Sequence, residues 1–187
     1  MSKPESCTGI VLAGGQSKRM GTDKGLVYLN NKPLVLHAVD ALSSFCGRII
    51  ICSNNEAYLA FGYSLVKDIY SKSGPMAGIH AGLKASFTDD NFILSCDMPF
   101  ADMSIFSSII EQHKKCKAVV SVCQSQIIPV CAYYNKSILP DLEMYLNASK
   151  LKMMSFLDEI GFLKVHFDSE TDIRKLRNIN TKDDLLK

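Results

Sequence analysis

Short, almost wholly apolar runs alternate along the chain with longer stretches in which apolar residues recur every three or four positions. The first run, 9–12, predicts a buried strand. Pro33 then opens a helix, with Leu34, Ala38, Ala41, Leu42 and Phe45 near helical spacing and Gly47 as a stop. The run 48–52 (RIIIC) predicts a second strand buried on both faces, broken by Ser53-Asn54-Asn55. A weaker strand spans 63–67 and ends at Asp68. Residues 73–78 read as a glycine-rich loop that enters a helix reaching about Phe87. A strand over 91–95 leads into Cys96-Asp97-Met98-Pro99. Residues 101–115 are amphipathic, with Ile105, Ile109 and Ile110 on one side.

Beyond that helix, 117–123 and 127–134 predict two more strands, and Pro129 marks the second as an edge or a bulge. A helix over 135–147 is interrupted by Pro140, another spans 151–160 with Gly161 as its cap, and 163–167 is a last strand. Thr181, with Asp184 three residues on, begins a short terminal helix as a capping-box variant. Strands alternating with helices predict an α/β fold with a mostly parallel sheet and helices on both faces. Ligands of such sheets bind beyond the C-terminal ends of the strands. The loop after 9–12, Asp68 and the Asp97 loop all stand at such ends and can converge on one crevice.

Composition narrows the classes. The 187 residues suit one domain, and a formal net charge of +2 gives no bulk attraction for nucleic acid. No apolar run approaches the roughly 18 residues a membrane helix requires, and no N-terminal stretch has signal character. Seven cysteines without a C-x-x-C pair argue against zinc or a disulfide framework. They read as reduced core thiols, which implies a reducing cytoplasm.

The candidate chemistry begins at Leu12-Ala-Gly-Gly-Gln-Ser-Lys-Arg-Met-Gly-Thr-Asp-Lys24. Glycines let backbone N–H groups approach an anion, and Arg19 and Lys24 neutralise phosphate charge, while Lys18 reads as solvated. The loop is neither a Walker A sequence nor G-x-G-x-x-G. Asp97, just past a buried strand, either bridges a hard cation to phosphate or caps the helix that starts near Ala101. The four histidines show no ligand spacing and read as structural or solvent-facing.

The opening motif resembles the signature of nucleotidyltransferases related to molybdenum cofactor guanylyltransferase, the MobA-like family. Cys96-Asp97-Met98-Pro99, Gly74-Pro75-Met76-Ala77-Gly78 and Asn178-Ile179-Asn180-Thr181 are similar to later blocks of that family, so the resemblance runs from Gly9 to Leu185. It implies a three-layer, Rossmann-like nucleotidyltransferase fold. It also implies transfer of GMP from GTP to molybdopterin, with Mg2+ as cofactor. Arg19, Lys24 and Asp97 would then be catalytic, with Asp97 the metal ligand. Leu12, Ala13, Gly14, Gly15 and Asp68 would bind nucleotide together with Lys24 and Asp97, and Gly78, Asn178 and Asn180 would bind the acceptor. Maturation proteins of molybdenum enzymes are the docking partners it admits.

Two positions depart from the family pattern: Cys52 stands where asparagine is frequent, and Ile127-Ile128 precede Pro129 where a polar His or Arg is frequent. Lys150 and Lys152 either replace arginines that guide the acceptor phosphate or are solvated. Three rivals stay open at this point: a CTP-using relative, transfer to another small phosphate, and a nucleotide-binding assembly factor without turnover.

Overall fold

The structure, a computed structural model, describes residues 7–14, 23–181 and 183–185. Strand β1 (Cys7–Leu12) is buried along its whole length. A 3-10 turn (Lys24–Leu26) and a two-residue hairpin, β2 (Tyr28–Leu29) and β3 (Lys32–Pro33), lead into α1 (Leu34–Ser43). Next come β4 (Arg48–Cys52), a 3-10 helix (Glu56–Phe61), β5 (Ser64–Val66), α2 (Gly74–Ala85) and β6 (Asp90–Ser95). The second half comprises α3 (Met103–Ile110), β7 (Ala118–Cys123), β8 (Gln126–Asn135), α4 (Leu139–Asn147), α5 (Met153–Ile160), β9 (Leu163–His166) and α6 (Glu170–Lys175).

Seven strands form one sheet in the order β5-β4-β1-β6-β8-β7-β9. All neighbouring pairs are parallel except the two made by β8. The alternation of side chains along a strand explains the layers. Val11, Ile51 and Leu94 join α1 and α3 on one face, whereas Ile10, Ile50 and Ile93 join α2, α4 and α5 on the other. The expected mostly parallel, three-layer α/β architecture is the one observed. The chain runs outward from β1 through β4 to β5, then returns to β6 on β1's other side. That reversal opens a crevice beyond the C-terminal end of β1.

Several elements differ from the sequence-based expectation. Residues 74–78 are the opening turns of α2, with Pro75 in its first turn, so this segment is helix and not a loop before one. The amphipathic stretch 101–115 divides into α3 and a short 3-10 turn (His113–Lys115), because the buried stripe ends at Ile109. Pro140 lies in the first turn of α4 and leaves it unbroken. Pro129 does not mark an edge, since β8 lies inside the sheet; it stands at a bulge, where the register against β7 jumps from Val120–Ala132 to Ser121–Ile128. The sequence pattern does not predict helix α6: its six residues bury nothing and show no apolar stripe, and only Ser169, accepting from Asp172 N, signals its start.

Candidate active site

The crevice is built from the ends of four parallel strands held level with one another. Leu12 pairs with Cys52 on one side and Ser95 on the other, and Cys52 pairs with Val66. The ladder continues one residue further: Ala13 N donates to Cys52 O at 2.9 Å, Cys96 N to Leu12 O at 3.0 Å and Ser53 N to Val66 O at 2.9 Å. The segments that follow therefore leave the sheet side by side. They carry Gly14, Asn54-Asn55, Asp68 and Asp97.

Asp68 and Gly78 form one wall. Asp68 N donates to Asn54 Oδ1 at 3.1 Å, and Asn54 Nδ2 donates to Asp68 Oδ2 at 3.5 Å. Burial raises the Asp68 carboxyl above the usual carboxylate range, and the Asn54 hydrogen bond opposes that shift. A Cβ at Gly78 would stand 3.0 Å from Leu12 Cδ2 and 3.9 Å from Asp68 Oδ1. Glycine there lets α2 lie close over the end of β1 beside Asp68. Exposed Gly14 faces the same carboxylate, its added Cβ 3.9 Å from Asp68 Oδ2.

Lys24 and Asp97 form the other wall. Lys24 Nζ is 3.0 Å from Asp97 Oδ2 and donates to Asn180 Oδ1 at 2.8 Å. Both charged side chains are largely sheltered, at 16% and 22% exposure, so water screens the pair less than it would a surface pair. The C-terminal motif is held by its middle residue: Ile179 is fully buried against Leu29 and Leu34, and its N–H donates to Asp97 O at 2.8 Å. Asn178 and Asn180 are exposed on either side of that anchor. Asp184 Oδ2 accepts from Thr181 N at 2.8 Å and Oγ1 at 2.9 Å, while Asp184 N donates to Thr181 Oγ1 at 3.3 Å, the reciprocal bonding of a capping box.

The two readings of Asp97 separate here. The cap of α3 is Asp102, whose Oδ1 accepts from Ser104 N at 2.9 Å, and Asp97 lies on the crevice. No group of three or more His, Cys, Asp or Glu side chains capable of holding a metal occurs among the described residues. Asp97 would serve as a single carboxylate ligand, which suits Mg2+ because that ion completes its shell with water and phosphate oxygens.

The remaining candidates resolve variously. Gly15, Lys18, Arg19 and Gly21 lie outside the described residues. Cys52 Sγ does not reach the crevice; it is buried beneath α2, where a Cβ at Gly82 would stand 3.1 Å away, and burial pushes the thiol up. All seven cysteines are free thiols. Ile127 and Ile128 are half-buried and pack against the apolar cores on the two faces of the sheet. Lys150 lies over the Tyr145 ring at 5.3 Å, and Lys152 precedes α5 as its N-terminal flank. His80 is fully buried against Glu143, and His37 meets Leu29 O at 3.0 Å, which are structural roles. Sequence reasoning missed Asn54, Asn55, Tyr58 and Asp23. The asparagines looked like turn formers, and the only signal was two amides directly after a buried strand.

Comparison with known proteins agrees with this geometry. The family model described as the MobA-like NTP transferase domain matches residues 9–161. The probable molybdenum cofactor guanylyltransferase of Flavobacterium johnsoniae is 31% identical, over 97% of this chain and 95% of its own. The molybdenum cofactor guanylyltransferase of Vibrio parahaemolyticus is 34% identical, over 99% of this chain and 96% of its own. Among solved structures, molybdopterin-guanine dinucleotide biosynthesis protein A from Archaeoglobus fulgidus superposes with a TM-score of 0.79 at 25% identity, covering 96% of this chain and 95% of that one.

Proposed function

The chain belongs to the MobA-like NTP transferase family, and from that premise we propose that it transfers GMP from GTP to a molybdopterin-type cofactor, forming the guanine dinucleotide and pyrophosphate. The observation that carries the reading is the meeting of Lys24, Asp97 and Asn180, from three separate motifs, at the C-terminal end of β1. The curated relatives that span nearly the whole chain bear the name of this activity.

The acceptor phosphate is already an anionic nucleophile. It attacks the α-phosphorus in line, the bond from that phosphorus to the bridging oxygen breaks, and pyrophosphate leaves with the electron pair. Positioning and charge neutralisation supply most of the rate, so no protein nucleophile is required. Leu12, Ala13 and Gly14 are assigned to the base, for which Gly14 offers backbone beyond the ladder that Leu12 O and Ala13 N complete, and Asp68 accepts hydrogen bonds from the nucleoside. Lys24 turns from Asp97 to the phosphates as nucleotide enters, and Arg19 is assigned the same charge-neutralising role. Gly15 is likewise assigned to the nucleotide.

Asp97 would hold Mg2+ through its carboxylate, and its Oδ1 has no hydrogen bond among the described residues. Such an ion neutralises charge on the triphosphate and on the leaving pyrophosphate. Gly78, in the wall with Asp68, is assigned to the acceptor together with Asn178 and Asn180. The seven free thiols support residence in a reducing cytoplasm, and no helix of the described residues is long and apolar enough to cross a membrane. The product would pass to maturation proteins of molybdenum enzymes. Incubation with GTP, Mg2+ and molybdopterin, followed by mass analysis for the guanine dinucleotide, tests this reading. Absence of that product from folded protein contradicts it.

A further inference from the structure

The Lys24 side chain is a long flexible stem, and the structure fixes it at both ends. Asp97 and Asn180 hold the tip. The root is held by Asp23, whose side chain caps the Lys24–Leu26 turn through Gly25 N at 3.2 Å. Both oxygens of that carboxylate are engaged by the segment that follows β4. Tyr58 Oη donates to Oδ1, and Asn55 Nδ2 donates to Oδ2 at 2.7 Å. Tyr58 is fully buried, and burial together with Asp23 pushes its phenol far up, so the hydroxyl remains a donor. Asn55 Oδ1 in turn accepts from Ala57 N at 3.0 Å, so one amide both starts the Glu56–Phe61 helix and binds Asp23.

Gly25 completes the fixture. A Cβ there would overlap Tyr58 Oη and stand 3.3 Å from Cys96 Sγ. The backbone that carries Lys24 is therefore wedged between Tyr58 and the residue that precedes Asp97. Neighbouring Asn54 makes no bond to this fixture and holds Asp68 instead.

We propose that Asn55 and Tyr58 are positioning residues that set the root of Lys24 through Asp23, so that its ammonium group can exchange Asp97 for the nucleotide phosphates without losing alignment. This deepens the nucleotidyl-transfer reading above and rests on it. The tip must move during the cycle and the root must not, so the contribution belongs to turnover more than to nucleotide affinity.

The test uses the full chain labelled with 13C at lysine Cε, with the Lys24 resonance assigned by its loss in Lys24→Arg. In the nucleotide-free protein, Tyr58→Phe and Asn55→Ser should move that resonance toward the free-lysine position, and Asn54→Ala should leave it in place. Lys84, paired with Glu143 on the opposite side of the sheet, is the internal reference. Both positioning variants should then lose about ten- to a hundredfold in kcat, the scale of a misplacement on the order of an ångström, with little change in KM for nucleotide. Asn55→Ser retains a capping hydroxyl at a partly exposed position, which keeps the question answerable if Tyr58→Phe fails to fold. An unmoved Lys24 resonance in a folded variant overturns the proposal, as does wild-type kcat. If the resonance moves as expected but wild-type protein turns over no nucleoside triphosphate, positioning stands and the proposed reaction falls.

Discussion

Lys24 and Asn180 lie 156 residues apart in the chain and meet at 2.8 Å in the crevice. The bond requires the buried Ile179 between the two asparagines: with that residue seated against Leu29 and Leu34, Asn180 reaches Lys24 and Asn178 stands on the other side. The two asparagines should therefore behave differently. Asn178→Ala should weaken molybdopterin binding by about two- to tenfold, the worth of one neutral hydrogen bond, and leave GTP affinity unchanged. Asn180→Ala should in addition lower kcat, because Lys24 loses a partner at its tip. Separate titrations of each ligand, combined with steady-state kinetics, check both expectations.

Asp97→Asn keeps the shape of the side chain and the backbone acceptor for Ile179 N, so the fold should persist. The charge that faces Lys24 is lost. Turnover should fall by about two to three orders of magnitude, the usual cost of one preorganised electrostatic group. A circular-dichroism melt alongside the rate assay separates chemistry from folding.

Asp68 gives a pH signature. Burial raises its folded-state carboxyl above the unfolded value, so folding favours the protonated form. Below both values the group costs nothing. As pH rises through the unfolded and then the folded value, its ionisation removes stability. Asp68→Asn should therefore gain stability relative to wild type as pH climbs out of the acid range, while binding GTP more weakly. Denaturant melts at a series of pH values read the first effect directly.

Gly82→Ala probes packing away from the chemistry. An added Cβ would stand 2.5 Å from Ile10 Cγ2 and 3.1 Å from Cys52 Sγ. All three groups lie in the dense layer between α2 and the sheet. Unfolding free energy should drop by about 1–3 kcal/mol, the range for overpacked cores.

Much of this molecule was legible in its sequence, and the reason is local. The strand over 48–52 has the ends its sequence predicts, because the apolar run 49–52 lies between Gly47-Arg48 and Ser53, which leaves little freedom. The parallel sheet followed from strand–helix alternation, and the convergence of Asp68 and Asp97 on one crevice followed from the rule for strand ends. Contacts between distant segments were not legible. Nothing in 53–58 announces that Asn55 and Tyr58 reach Asp23, since the partners are 32 and 35 residues away. Nor could Asp97 be told from a helix cap until Asp102 was seen in that role. In sequence Gly74-Pro75 resembles a turn, which makes 73–78 look like a loop; in the structure Pro75 opens the helix that carries Gly78.

In the proposed reaction this crevice activates GTP for attack by the molybdopterin phosphate. Pyrophosphate release measured with ATP, CTP, GTP and UTP in turn, each with and without molybdopterin, tests it most directly. Release should require molybdopterin and be fastest with GTP. Faster molybdopterin-dependent release with CTP, or no release with any of the four, would contradict it.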